Sequence, residues 1–203
     1  MKTNEVEFNV KNVKYAVKTA GVYGAPVDLA YAESISLEPT YQSEPYYGDG
    51  DIIGEMTSDN GMTGTLAIIQ KSDDYEIAMQ RKMIIDGESV ADITQKDSIE
   101  HAIYFEIDAL VSGVSKTKKV WILNVTSGKP GETYTQSKGT PTVNNLEIPL
   151  TILGEKLMAN DGVTVYKDVN GNEKKVIKIT SKPGDTAYDT FGAAVPTPKM
   201  PLA

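Results

Sequence analysis

Fifteen consecutive residues, Tyr47 to Gly61, read YGDGDIIGEMTSDNG and carry four carboxylates, Asp49, Asp51, Glu55 and Asp59, among glycines at 48, 50 and 54. Such a stretch has three chemical readings. A phosphate cradle of the dinucleotide type needs G-x-G-x-x-G between a strand and a helix, so that backbone N–H groups meet the pyrophosphate. Here the spacing is one residue too long and no helical pattern follows. A calcium loop needs several oxygens converging on one point, usually closed by a bidentate Glu, and these acids fit no such spacing. What remains is a mobile acidic surface loop built from turn residues.

The other chemistry-bearing residues are equally spare. His101 is the single histidine; it opens a strand with no nucleophile signature nearby, and no G-x-S-x-G elbow exists, so a surface or strand-end position is its expected place. One histidine and no cysteine leave no multi-histidine or thiolate metal site. Glu106 and Asp108 point the same way on one strand, as a glycosidase pair does, yet acids on an exposed strand face are mostly solvated. Asp168 opens a stretch like a calcium loop, but Gly171 falls at the fourth place and Ile179 stands where a closing Glu belongs. These residues predict no enzyme, no cofactor and no metal.

Bulk properties narrow the partners. A chain of 203 residues suits one sizeable domain, or one with an appendage. Eleven Tyr against three Phe and one Trp lean towards half-exposed pleated surface, hence β structure. A net charge of −8 and a single arginine, Arg81, argue against nucleic-acid binding, which needs clustered cations. The opening MKTNEVEFNV lacks the apolar run of a signal peptide, and no run of 18 apolar residues appears, which predicts a chain made in the cytoplasm without Sec-type export or membrane insertion.

Positioning elements follow from periodicity. Val13, Tyr15 and Val17 alternate with Lys14, Ala16 and Lys18 as in a half-buried strand; Val6, Phe8 and Val10 alternate before it, with a slip at Lys11-Asn12 that implies a bulge. GVYGAP at 21–26 reads as a turn, and Ser34 to Leu37 as a short strand ending at Pro39. A long loop is expected over 39–60, then a strand from Met62 to Gln70 with Met62, Leu66 and Ile68 on one face. One helix is predicted over about 74–85, capped by Asp73 with Glu76 completing the capping box, ended by Gly87, with Tyr75, Ala78, Met79 and Met83 as its stripe. Next comes a hairpin. Its first strand sets Ile103, Phe105, Ile107, Ala109 and Val111 against a polar face of Ala102, Tyr104, Glu106 and Asp108. Its second sets Trp121, Leu123 and Val125 against Val120 and Ile122. A polar loop over 127–141, a strand through Leu146, Ile148, Leu150 and Ile152, a hairpin around Asn170-Gly171 and an extended tail complete the chain. The expected fold is mainly β, a β-sandwich or partly rolled barrel with one packed α-helix, over 1–157; residues 158–203 add a C-terminal hairpin and tail.

YYGDGD, then SDNGMTGTLAI, a helix, HAIYFEID and TKKVWILNVTSGKP together resemble the major tail proteins of long-tailed bacteriophages, in particular the phi13-type major tail protein family. Ser58 to Leu66 matches that family's S-x-N-G-x-x-G-T-L strand, Asn124-Val125-Thr126 its N-x-T strand end, and DTAYDTFG (Asp185 to Gly192) is similar to its C-terminal part. The 127–141 loop departs from the pattern, which touches inter-subunit detail. The resemblance implies a structural virion protein: a tail-tube subunit forming stacked, hexameric rings around a DNA channel, assembled in the host bacterial cytoplasm. Implied partners are further copies of itself, the tape measure, tail terminator and distal tail proteins, and genomic DNA that passes without specific binding.

Within that implication the 39–60 loop, with Tyr46, Tyr47, Asp49, Asp51 and Glu55, becomes an inter-subunit arm, and Glu106 and Asp108 become lumen-facing. Net negative charge suits a conduit, because DNA must pass without sticking. The alternative class is a monomeric carbohydrate-binding or adhesion-type β-sandwich, which needs Trp121 and several Tyr exposed as a stacking platform. A small hydrolase using Asp and Glu is the third.

Overall fold

HAIYFEIDALV and VSKTKKVWILNVTS alternate with the two-residue period of a pleat, and they form the central hairpin of the protein. The computed structural model describes residues 5–29, 31–69, 71–132, 136 and 145–200. In chain order come β1 (Glu5–Thr19), β2 (Val22–Tyr23), β3 (Val27–Asp28), β4 (Ala32–Gly48) and β5 (Asp51–Ile68). Then follow α1 (Asp73–Ala78), β6 (Lys82–Ile85), β7 (Ser89–Asp92), β8 (His101–Val111) and β9 (Val114–Ser127). The last are β10 (Leu146–Ile152), β11 (Glu155–Lys156), β12 (Met158–Ala159), β13 (Lys175–Val176), β14 (Lys178–Ser181) and β15 (Lys199–Met200). The large sheet runs β2-β1-β8-β9-β10-β5-β4, with β3 on β1 and β14 on β9, and every pair in it is antiparallel. The fold is mainly β and sandwich-like.

The sheet curls so that its two halves enclose one core. Val13 and Tyr15 of β1, Ile103 and Phe105 of β8, and Val120 and Ile122 of β9 meet Leu66, Ile148, Leu150 and Ile152 from the other half. The expected bulge in β1 is present, with shifts after Phe8 and Lys11 and left-handed Asn9 and Asn12. A second bulge was not expected. Asn124 adopts φ 52° and breaks the β8–β9 register, so Val125 joins Val120 and Ile122 instead of Trp121 and Leu123.

The other face of β8 also differs from the expected polar surface. Ala102 and Tyr104 are buried with Ala16, Trp121 and Leu123 in a second core, closed by Phe191. Trp121 Nε1 donates to the Phe191 carbonyl at 2.8 Å, and Tyr188 donates to the Thr117 carbonyl at 2.9 Å. Residues read as an extended tail thus cover the sheet, and β15 runs parallel to β12. The Asn170-Gly171 turn forms, with the Asp168 carboxylate accepting from the Asn170 and Asn172 amides. Its flanks part: β13 pairs with β11 and β14 with β9, so no long hairpin ladder follows. Much of the 127–141 loop, namely 133–135 and 137–141, and also Gln70, lie outside the described residues.

The expected twelve-residue helix is one turn and a half. Ser72, rather than Asp73, caps α1 by accepting from the Tyr75 amide at 3.3 Å. Gln80, at φ 54°, stops it, and KMII then pairs with SVAD as a β-hairpin around Asp86-Gly87. Gly87 therefore turns a hairpin, and Met83 is exposed. So short a helix has no stability of its own; it is held by polar groups. Glu76, read as a capping-box acid, is buried and grips Arg81 through Nε–Oε2 and Nη2–Oε1 contacts of 2.9 Å each. Arg81 Nη1 donates onward to the Ser127 carbonyl and hydroxyl and to the Gly128 carbonyl. Removing either charge strands the other, at a cost of about 3–5 kcal/mol.

His101 stands at the strand end expected of it, as the first residue of β8, but not at the surface. It is fully buried, with Nδ1 3.1 Å from the Ile99 carbonyl and Nε2 3.1 Å from the Tyr75 hydroxyl. A carbonyl only accepts, so the neutral ring carries its proton on Nδ1, and Nε2 accepts from Tyr75. Burial pushes the imidazole pKa down to about 4, against a smaller upward pull from the Ile99 carbonyl, and the Arg81 charge adds to the depression.

Two expectations follow. Because the folded pKa lies below the unfolded value of about 6.5, the unfolded chain binds a proton that the fold refuses. Stability held above about pH 6.5 declines as pH falls towards 4, by on the order of 3 kcal/mol. Denaturant midpoints through that window check this, and His101→Gln flattens the slope. Separately, Gly61 sits at φ +92° with its missing Cβ directed at the Ile152 carbonyl oxygen, whereas Gly50 at the same φ faces open space. Gly61→Ala should cost more than the ~1–3 kcal/mol of backbone strain that Gly50→Ala incurs, read from paired urea denaturation curves.

Candidate functional site

The acidic stretch 39–60 is not a loop. β4 and β5 continue as one antiparallel hairpin from Ala32↔Ile68 to Gly48↔Asp51. Asp49 and Gly50 form the two-residue connection, both with positive φ (52° and 92°), as a type I′ turn demands. Near the body, Ile35 and Leu37 of β4 pack on the main core. A register shift between Pro39 and Tyr41, opposite Gly61, ends that contact. From Tyr41 to Asn60 every residue is exposed except Gly48 and Gly54, which are half-buried. The result is an arm about 25 Å long, wet on both faces.

Its composition is unusual for a solvated element. Tyr41, Tyr47, Ile52, Ile53 and Met56 are all more than 60% exposed, and Tyr46 is 48% exposed. Tyr46 lies across Gly54, where any Cβ would meet its ring, so the glycine makes the seat for the aromatic. Ser43 donates to the Glu55 carboxylate across the strands. Pro39 and Pro45 remove amide donors from the outer strand, which blunts edge-to-edge pairing. An isolated two-stranded hairpin is marginal in water, and this arm leaves its apolar side chains bare within the subunit.

The arm brings Tyr46, Tyr47, Asp49, Asp51 and Glu55 onto one element. Its acids form no chelate: among the described residues, no three His, Asp or Glu side chains cluster for a metal. Ile52, Ile53 and Met56 were not singled out from the sequence; the Asp49-Gly50 pair between two strand-like runs was the available signal.

Glu106 and Asp108 share a face of β8 away from the arm. The Asp108 carboxylate accepts from Lys11 at 2.6 Å, Asn9 at 2.9 Å and Thr117 at 2.8 Å. The Lys11 hydrogen bond, then those of Asn9 and Thr117, hold its pKa down at about 2. Glu106 accepts from the Tyr104 hydroxyl at 2.8 Å and from Asn12 at 2.9 Å. The strip is polar but internally paired, not a bare acidic surface. Trp121 has no exposed area, so the aromatic platform required of a carbohydrate module lacks its indole. The lone arginine is likewise spent inside the fold.

No protein-family model matches the chain, and comparison with curated proteins gives no match.

The arm supplies nothing to either core, which sets an expectation for trimming it. Cutting the hairpin in register, by removing residues 42–58 and closing it with an Asn-Gly turn, should leave the melting temperature within a few degrees of the full chain. Circular dichroism melts check this; a large drop would mean the arm stabilises the single subunit.

Proposed function

We propose that this chain is a self-assembling structural subunit, the major tail-tube protein of a long-tailed bacteriophage, in which copies form stacked rings around a DNA channel. One observation carries the reading: a long, preformed hairpin projects apolar side chains on both faces with nothing in its own subunit to cover them. In a monomeric module such an arm is an aggregation hazard; in an assembly it is an interface. Arms that reach from one copy to the next make heterologous contacts, which close into rings or extend as filaments. The sequence resemblance over most of the chain points the same way.

In this reading the strip around Glu106 and Asp108 borders the channel. Its carboxylates are matched by Lys11 and neighbouring amides, and Lys14 and Lys119 line the same cavity as Glu106 beside Asp28 and Asp189, so the wall carries both signs of charge instead of a purely basic patch that would hold phosphates. DNA then slides past instead of binding. The tape measure, terminator and distal tail proteins are the other partners this role requires, and the virion is its place.

Sedimentation and negative-stain microscopy test the proposal. The purified chain, at high concentration or co-expressed with other tail proteins, should form rings or hollow tubes. The trimmed-arm variant should stay folded and unassembled. A full chain that remains monomeric under all these conditions would overturn the reading.

A further inference from the structure

An apolar groove of about 320 Å³ opens where β1, β4, β8 and β9 meet at one end of the main core. Phe8, Val10, Leu37 and Ile107 line it above buried Phe105 and Val120. Phe8 is 48% exposed although it belongs by pattern to a core-facing row. The rim is basic. Lys118 and Lys178 border the groove, and Lys182 stands near enough to act on Lys118, whose pKa burial lowers first and the Lys182 and Lys178 charges lower further. Glu5 and Glu7 already hold Lys118, but among the described residues the exposed Lys178 and Lys182 form no ion pair.

The arm is the complement of this groove in both respects. Residues 39–60 hold five carboxylates and no Lys or Arg, alternating with Ile52, Ile53 and Met56. None of the residues from Tyr41 to Asn60 lines the groove of its own subunit. We propose that the groove receives the arm of a second copy of this chain, with Ile53 and Met56 of one arm face filling it and the arm's carboxylates facing Lys178 and Lys182. The inference rests on the self-assembly reading and adds the receptor to it. Opposite charge at the rim sets orientation and rate of encounter, while apolar filling supplies the hold. Because donor and receptor are different surfaces, each copy uses both, and the contact repeats.

The chain has no cysteine, which permits a direct test. Ile53→Cys and Phe8→Cys are made in separate polypeptides, mixed under assembly conditions and oxidised. Disulfide-linked dimer on a non-reducing gel is compared with a mixture of Ile53→Cys and Val169→Cys, since Val169 is 96% exposed and does not line the groove. Docking raises the local thiol concentration far above bulk, so the groove pair should give on the order of tenfold more linked dimer. Lys178→Glu in the receiving chain should reduce that yield. If Phe8→Cys fails to fold, Lys178→Cys replaces it as the receiving variant. Equal yields from the groove and control pairs, in a wild-type chain that does assemble, overturn the groove and leave assembly standing. A wild-type chain that sediments as a monomer throughout overturns both.

Discussion

Arg81 is the fixed point of this fold. A guanidinium without solvent must have its charge matched and its donors used, or the protein loses several kcal/mol. Glu76 matches the charge, and the Ser127 and Gly128 oxygens take the donors. Those contacts tie a six-residue helix, too short to persist alone, to the end of β9. With the helix held, Tyr75 stands edge-on to Tyr15 at 4.9 Å and reaches the His101 ring with its hydroxyl. One ion pair thereby locates the helix, the start of β8, the end of β9 and the β1 aromatic. Hydrophobic pairing could slide by a residue; the Arg81 fork, planar and directional, admits one arrangement.

Around that point the molecule divides its apolar side chains three ways. Two sets are covered within the subunit, by the curled sheet and by the segment ending at Phe191. The third is left on the arm. Natural sequences keep local preference and burial in agreement except where function demands otherwise. The arm gathers Tyr41, Tyr46, Tyr47, Ile52, Ile53 and Met56 at the end of one hairpin, among two prolines that discourage indiscriminate strand pairing. In the assembly proposed, exposure and restraint together suit one partner geometry.

The sequence was readable where burial imposes a period and opaque where it does not. The strands at 101–111, 114–127 and 146–152 alternate because one face of each meets the core, and the slip at Lys11-Asn12 appeared as a true bulge. The arm escaped because neither of its faces is buried, so nothing forces alternation; only Asp49-Gly50 betrayed it. The helix was overextended since Met79 and Met83 sit at helical spacing, yet Ile84 and Ile85 are β-branched and Asp86-Gly87 turns the chain. Asn124 reversed the phase of Val125, because a bulge exchanges the two faces of a strand. The burial of His101 and of the first half of β8's polar side escaped for a longer-range reason: Tyr75 of α1 packs on His101, and what covers Ala102 and Tyr104 comes from residues near 191. Of the candidate site, Tyr46, Tyr47, Asp49, Asp51 and Glu55 do lie on one element, while the loop expected of them is a hairpin.

Phe191 follows Trp121 by 70 residues. A ribosome adding ~5–20 residues each second leaves the indole face of β9 uncovered for roughly 4–14 s after Trp121 is made. Through that interval the nascent chain presents a row of Ala102, Tyr104, Trp121 and Leu123 with no lid. The second core thus works as a clock: the face closes only after Phe191 has been made, and until then its protection falls to the translation machinery and its chaperones.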